Sequence, residues 1–351
     1  MTRRAHAATS SRAAAADRGA ELADRRLVSR VGDAIRALLL TLVTTLACAL
    51  PENLAVRLAD LVGAGWYRVA PARAARARRN LARVTGYLAE QGMGGPRVAA
   101  AARDPQALER LVRDAFRHGA RYYLEVARTA TIRPNTVRDR LLVETPDVVE
   151  QAFGQPGPML VVALHFGAIE MPAVMLAQRT GTSATVPMET LRDPVLQRWF
   201  VRTRSRVGLR IIGIEEARRE LSAGLRRGEP VGLVGDRDLT GGGMSVPFFG
   251  APAPLPIGPA LLAIDSGAPA YVAAVRRSGA GRFRLRVLPL PVPTEGTKRQ
   301  RLAATQAAIV AAFETLIADA PEQWWTVFFP IWPDLEAETE AAAGVTPGEA
   351  A

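Results

Sequence analysis

From Gly157 onward the chain alternates two kinds of segment, and that alternation limits the possible fold more than any other feature. Short apolar runs bounded by Gly and Pro, such as PMLVVALH ending at His165 and PVGLVGD (230–236), have the length and composition of buried strands. SATVPM (183–188), LRIIGI (209–214), PAYVAAVRR (269–277) and the alternating RFRLRVLPL (282–290) read the same way. Helix-period stretches at 170–179, 215–227, 259–266 and 301–318 lie between them. Strands alternating with helices predict an α/β fold, with a central, mostly parallel or mixed sheet flanked by helices. In such sheets sites gather outside the carboxyl ends of strands, where both His165 and Asp236 fall.

The first part of the chain follows a different rule. Leu54, Leu58, Leu61 and Val62 keep a helical period, as do Leu108, Leu111, Val112, Ala115, Phe116 and Tyr123 within 104–128, with a Gly-rich loop at 91–96. The expected organisation is a disordered basic tail over 1–20, a helical, membrane-apposed part over 21–150, an α/β core over 151–335 and a disordered acidic tail over 336–351. The formal charge is +11, and it is uneven: residues 1–150 carry 25 arginines against 15 acidic residues, and the remainder carries 20 basic against 19 acidic. A basic amino-terminal part calls for an anionic surface. No RNA-binding signature, zinc-finger spacing or helix-turn-helix accompanies it, so the expected surface is anionic lipid and not nucleic acid. The apolar run 37–50 is shorter than the ~20 residues of a membrane-spanning helix. It is therefore read as a buried or interface-lying helix, with peripheral attachment at the cytoplasmic face of the membrane. A single cysteine, Cys48, can form no internal disulfide and no cysteine-based metal site, which fits a reducing compartment.

Histidine is scarce (His6, His118 and His165), and only His165 ends a strand segment. Glu170 follows it at an H-x4-E spacing. An imidazole can take a proton from a hydroxyl near neutral pH, and a carboxylate one turn on can accept from its other ring nitrogen. The plainer alternative is a strand-capping histidine and a first-turn helix acid. Asp236 and Asp238 flank Arg237 at another strand end, either as part of a site or as a structural ion pair. Arg204 and Arg206 could hold a phosphate of a substrate, or, with Arg198 and Arg202 at helical spacing, lie on a solvated helix face. Gly241–Gly243 reads as a flexible lid, without the lysine of a P-loop. Trp324, Trp325, Phe328, Phe329 and Trp332 read as core more than as an interfacial belt.

Three blocks in order carry a family resemblance over roughly 30–335. They are LVVALHFGAIE, the arginine cluster from Arg192 to Arg206, and GDRDL followed by VPFFGAPAPLPIGPALLA (246–263). Together they resemble the lipid A lauroyl/myristoyl acyltransferases, and the wording of the last block is most similar to the phosphatidylinositol mannoside acyltransferases. The resemblance implies an acyltransferase with His165 and Glu170 as catalytic residues and Arg204, Arg206, Asp236, Arg237 and Asp238 around the substrate. It implies acyl-CoA or acyl carrier protein as donor, an anionic glycolipid, first a phosphatidylinositol mannoside, as acceptor, and neither cofactor nor metal. In the mannoside enzymes a second-block acid works with the histidine, and either Asp236 or Asp238 could fill that place. Another lysophospholipid or glycolipid acceptor, a hydrolase using the same base, and a non-catalytic lipid-binding protein of the same fold are the alternatives.

Overall fold

The computed structural model describes residues 31–342, so the tail expected at 1–20 lies outside the described residues. A helical part comes first: α1 (Val31–Ala49), α2 (Glu52–Val69), α3 (Pro71–Glu90), α4 (Gly95–Arg103), α5 (Pro105–Ala127) and α6 (Pro134–Arg140). An α/β part follows: β1 (Leu141–Val143), α7 (Pro146–Phe153), β2 (Met159–Gly167), α8 (Met171–Thr180), β3 (Ala184–Met188), α9 (Pro194–Ser205), β4 (Leu209–Gly213), α10 (Ala217–Arg226) and β5 (Pro230–Val234). The chain closes with β6 (Met244–Phe248), β7 (Ala251–Leu255), α11 (Gly258–Ser266), β8 (Ala270–Gly279), β9 (Arg282–Pro289), α12 (Lys298–Ala318) and α13 (Pro333–Ala342).

Seven strands form one sheet in the order β1-β9-β8-β2-β5-β3-β4, parallel throughout except for the β8–β9 pair. The α/β expectation is met, and its strand segments sit within a residue or two of their expected places. The central strand β2 is buried on both faces. Leu160, Val162 and Leu164 share one apolar cluster with Leu81 of α3, Phe116 of α5 and Phe313 of α12. Helices α7 and α8 cover the opposite face, where Phe153, Met171 and Val174 cluster with Val275 and Leu285 of the sheet. The first helices therefore complete the sheet's core and do not fold as a separate body.

Several expectations change. The part read as mostly helical also supplies the edge strand β1, whose three residues are too few to show a period but pair in parallel with β9. The acidic tail expected from 336 begins within α13, which is fastened to α3 by the ion pairs Arg76–Glu336 and Arg83–Asp334. The helix read over 37–50 runs from Val31 to Ala49. By its 19 residues and mean hydropathy of 1.6 it is long and apolar enough to cross a membrane. It is also not buried: Leu38, Leu39, Leu42, Val43 and Leu46 are all exposed. Helix α12 meets the same length and composition test, yet its Ile309, Phe313 and Ile317 lie in the core. Helix α1 is tied to the body by Trp199 of α9, whose indole donates to Thr44 Oγ1 at 3.0 Å, and by Arg128, which donates to the carbonyls of Ala47 and Leu50.

The aromatic stretch after α12 is core, as read: Trp324, Phe328 and Trp332 are buried. The chain between α12 and α13 crosses the sheet end as a strap, bridging to β2 through Phe166 and Trp324. Asn80 of α3, 1% exposed, clips this strap by donating to the carbonyls of Val327 at 2.9 Å and Phe329 at 3.0 Å. Asn80→Ala strands two carbonyls and should cost about 1–3 kcal/mol in urea unfolding. An unchanged midpoint would mean that aromatic packing alone holds the strap.

Candidate active site

The sheet register builds the site. β2 and β5 run parallel with Ala163 opposite Val234, and the Gly235 amide donates to the Ala163 carbonyl at 2.9 Å. Two residues further along each chain stand His165 and Asp236, which the equal offset brings side by side. His165 Nδ1 lies 2.8 Å from Asp236 Oδ1. The other carboxylate oxygen, Oδ2, accepts from the His165 backbone amide at 3.0 Å, the Trp324 indole at 2.7 Å and the Thr326 hydroxyl at 2.7 Å. Asp236 is 1% exposed, so a charge there survives only because donors surround it. Burial by itself would push this carboxyl up. The His165 charge and hydrogen bond, with those of Thr326 and Trp324, outweigh burial and hold it below the usual carboxylate range. An ionised carboxylate only accepts, so Nδ1 carries a hydrogen, and in the neutral imidazole that leaves Nε2 with its lone pair.

Glu170 is not the partner of His165. It stands at the start of α8 without capping it, is buried, and accepts from Arg204 Nε at 3.2 Å. The turn after His165 leads into the helix, and Glu170 meets the arginine of α9 there instead of the ring. Arg204 in turn donates to the Tyr122 hydroxyl at 2.9 Å and lies over the Phe200 ring at 5.1 Å. Its side chain is mostly buried and already committed to Glu170 and Tyr122, which makes it part of the cavity wall more than a free phosphate clamp. Arg206 follows the end of α9, exposed. Asp238 holds its own loop together, accepting from the amides of Thr240 at 3.0 Å, Gly241 at 3.1 Å and Gly243 at 2.7 Å. The glycines read as a flexible lid are thus a carboxylate-capped turn. Arg237 is different: it stacks 3.9 Å over Phe329, lines the same cavity as His165, and has no carboxylate within ion-pair distance among the described residues.

That cavity measures about 500 Å³. His165, Arg204, Arg237 and Asp238 stand on its wall with Glu170, while Val161, Ala163, Leu176, Val186, Val231 and Leu233 make most of the remainder apolar. A smaller cavity of about 40 Å³ also touches His165, lined by His118, Gly167 and Arg277 among others. His118 is kept well below the ordinary imidazole value by burial, then by the charges of Arg277, Arg121, Arg97 and Arg117. Among the described residues, no three His, Cys, Asp or Glu side chains gather to hold a metal ion. The residues that sequence reasoning passed over are Trp324, Thr326 and Tyr122. The first was legible only as core, and the other two carry no motif; they are found through the groups they bond.

The chain matches the family model for bacterial lipid A biosynthesis acyltransferases over residues 27–332. It is 31% identical over 253 residues to the phosphatidylinositol mannoside acyltransferase of Mycobacterium tuberculosis, covering 70% of this chain and 73% of that one. The Mycolicibacterium smegmatis phosphatidylinositol mannoside acyltransferase is 30% identical over 239 residues, 67% of this chain and 76% of its own.

Because the folded carboxyl of Asp236 titrates below its unfolded value, it contributes stability above the ordinary aspartate range. That contribution is lost as pH falls through the folded value. The stability gap between the wild type and Asp236→Asn, measured by urea unfolding, should therefore narrow as pH falls from the ordinary aspartate range through the folded value. A gap that stays constant or widens over that window would contradict the pairing.

Proposed function

The chain belongs to the bacterial lipid A biosynthesis acyltransferase family, and from that premise we propose that it moves a fatty acyl chain from acyl-CoA, or from acyl carrier protein, to a hydroxyl of an anionic glycolipid. A phosphatidylinositol mannoside is the first candidate acceptor, because that is what the similar mycobacterial enzymes are named for. The observation that carries the reading is His165: its Nδ1 is held by a buried carboxylate while the ring lines a large, mostly apolar cavity.

The chemistry follows from that geometry. Nε2 accepts the proton of the acceptor hydroxyl, and the oxygen attacks the thioester carbonyl. The tetrahedral intermediate collapses, the C–S bond breaks, and the imidazolium returns the proton to the leaving thiolate. Asp236 fixes the ring and its tautomer and balances the imidazolium charge. Transfer is direct, as neither serine nor cysteine lines the cavity and Cys48 donates elsewhere, to the Ala127 carbonyl. The apolar wall takes the acyl chain, and about 500 Å³ suits a ligand of that size. Arg237, without a carboxylate partner among the described residues, is the cation at the same wall offered to a substrate phosphate. Glu170 and Arg204 shape the wall. The exposed apolar side chains of α1, with the basic excess of residues 1–150, support attachment to an anionic membrane.

Labelled acyl-CoA incubated with phosphatidylinositol mannoside, a lysophospholipid and no acceptor, read by mass spectrometry, tests the assignment. Acylated mannoside as the main product is expected. His165→Ala should lower its formation by at least ~10²-fold with an unchanged fold. Near wild-type transfer by a folded variant would sink the mechanism.

A further inference from the structure

A second buried charge lies beside the His165–Asp236 pair and takes no part in the reaction as written. Arg277 of β8 has a side chain only 3% exposed. Its guanidinium donates to both oxygens of Glu125, at 2.6 and 2.7 Å, and to the carbonyl of Gly167, at 2.9 Å. Its main chain is gripped from the strap: its amide donates to Gln323 Oε1 at 2.8 Å and its carbonyl accepts from Gln323 Nε2 at 2.9 Å. Few charged side chains are held on so many sides.

What matters is the carbonyl it holds. Gly167 comes two residues after His165, in the left-handed region at φ +54°. The β2–β8 register shifts between Ala163 and Gly167, so β2 bulges over the stretch that carries the histidine. The approach to β8 is so close that a Cβ on Gly167 would lie 1.9 Å from the Val275 carbonyl oxygen. An inward-turned carbonyl at such a bulge needs a donor that cannot drift, and a planar guanidinium anchored on a carboxylate supplies one. Glu125 sits on α5 three residues from Tyr122, on the same helix face. Tyr122 holds Arg204, which holds Glu170. The turn from His165 to Glu170 is thereby gripped at two points by two arginines, both anchored on α5.

We infer that Arg277 is a positioning residue for acyl transfer, fixing through the Gly167 carbonyl the bulge that aims the His165 ring into the cavity. The inference rests on the reading of His165 as the base. A plain structural ion pair would hold the fold together and leave the ring's setting and the chemical step alone.

The test compares wild type, Arg277→Gln, Arg277→Lys and Glu125→Gln in the full-length protein. The kcat and KM for acyl-CoA and lipid are measured, with ring 15N spectra of histidine-labelled samples. The chain has only three histidines, which makes those spectra assignable. Arg277→Gln should lower kcat at least ~10-fold, as small misplacements of a catalytic group do, and shift the His165 ring signals. Both KM values should stay within about twofold. Lysine reaches one acceptor but cannot fork between two, so Arg277→Lys should fall in between. Should the Gln variant not fold, the Lys and Glu125 variants are read by the same criteria. Unchanged kcat with unmoved ring signals, or a loss confined to KM, overturns the proposal. Shifted signals at an unchanged rate would uphold the placement and remove His165 from the role of base.

Discussion

Everything at the site hangs on a carboxylate that water cannot reach. Asp236 survives as an anion in the core because one oxygen receives three donors and the other meets the imidazole. Take away any donor and the cost rises sharply, since a partly satisfied buried charge is worse than none. This is why the strap after α12 must cross the sheet end: Trp324 and Thr326 deliver two of the four contacts from a segment 88 to 90 residues away. The aromatic packing of the strap and the aim of the His165 ring are thus one structural problem with one solution.

Around that centre the charges sort into two kinds. Glu170, Arg204, Tyr122, Glu125 and Arg277 satisfy one another and stiffen the turn between β2 and α8. Arg237 alone among the expected site cations faces the cavity without a carboxylate partner among the described residues. An active site needs both: a network that cannot yield, and a free charge for the substrate to meet. Helix α1 adds an exposed apolar surface, and it is joined through Thr44 and Trp199 to α9, which lines the cavity.

Much of this was legible in the sequence. Apolar runs bounded by Gly and Pro marked the strands, and the ends of two of them marked His165 and Asp236. What residue patterns alone could not supply was adjacency; the family resemblance offered Asp236 or Asp238 as the histidine's partner without choosing between them. β2 neighbours β5 and not its chain successor β3, and only that crossover puts His165 beside Asp236. Spacing along the chain favoured Glu170, five residues beyond His165, because a motif shows what is near in sequence. Arg204 misled for a related reason: an arginine in an arginine cluster looks free until its buried partners are known. The hairpin of β6 and β7 was hidden as well. It turns through Phe249 at φ +48°, a conformation no side-chain pattern announces, and Glu314 accepts the Phe249 amide at 2.6 Å to hold it there.

The central claim is that Asp236, and not Glu170, supports the base. Single-turnover acyl transfer by Asp236→Asn and Glu170→Gln, beside His165→Ala, tests it most directly. Asp236→Asn keeps the shape but removes the charge that fixes the tautomer and balances the imidazolium, so its rate should approach that of His165→Ala. Glu170→Gln can still accept from Arg204 and should retain most of its activity. A Glu170→Gln variant as slow as His165→Ala, with Asp236→Asn near wild type, would contradict the account.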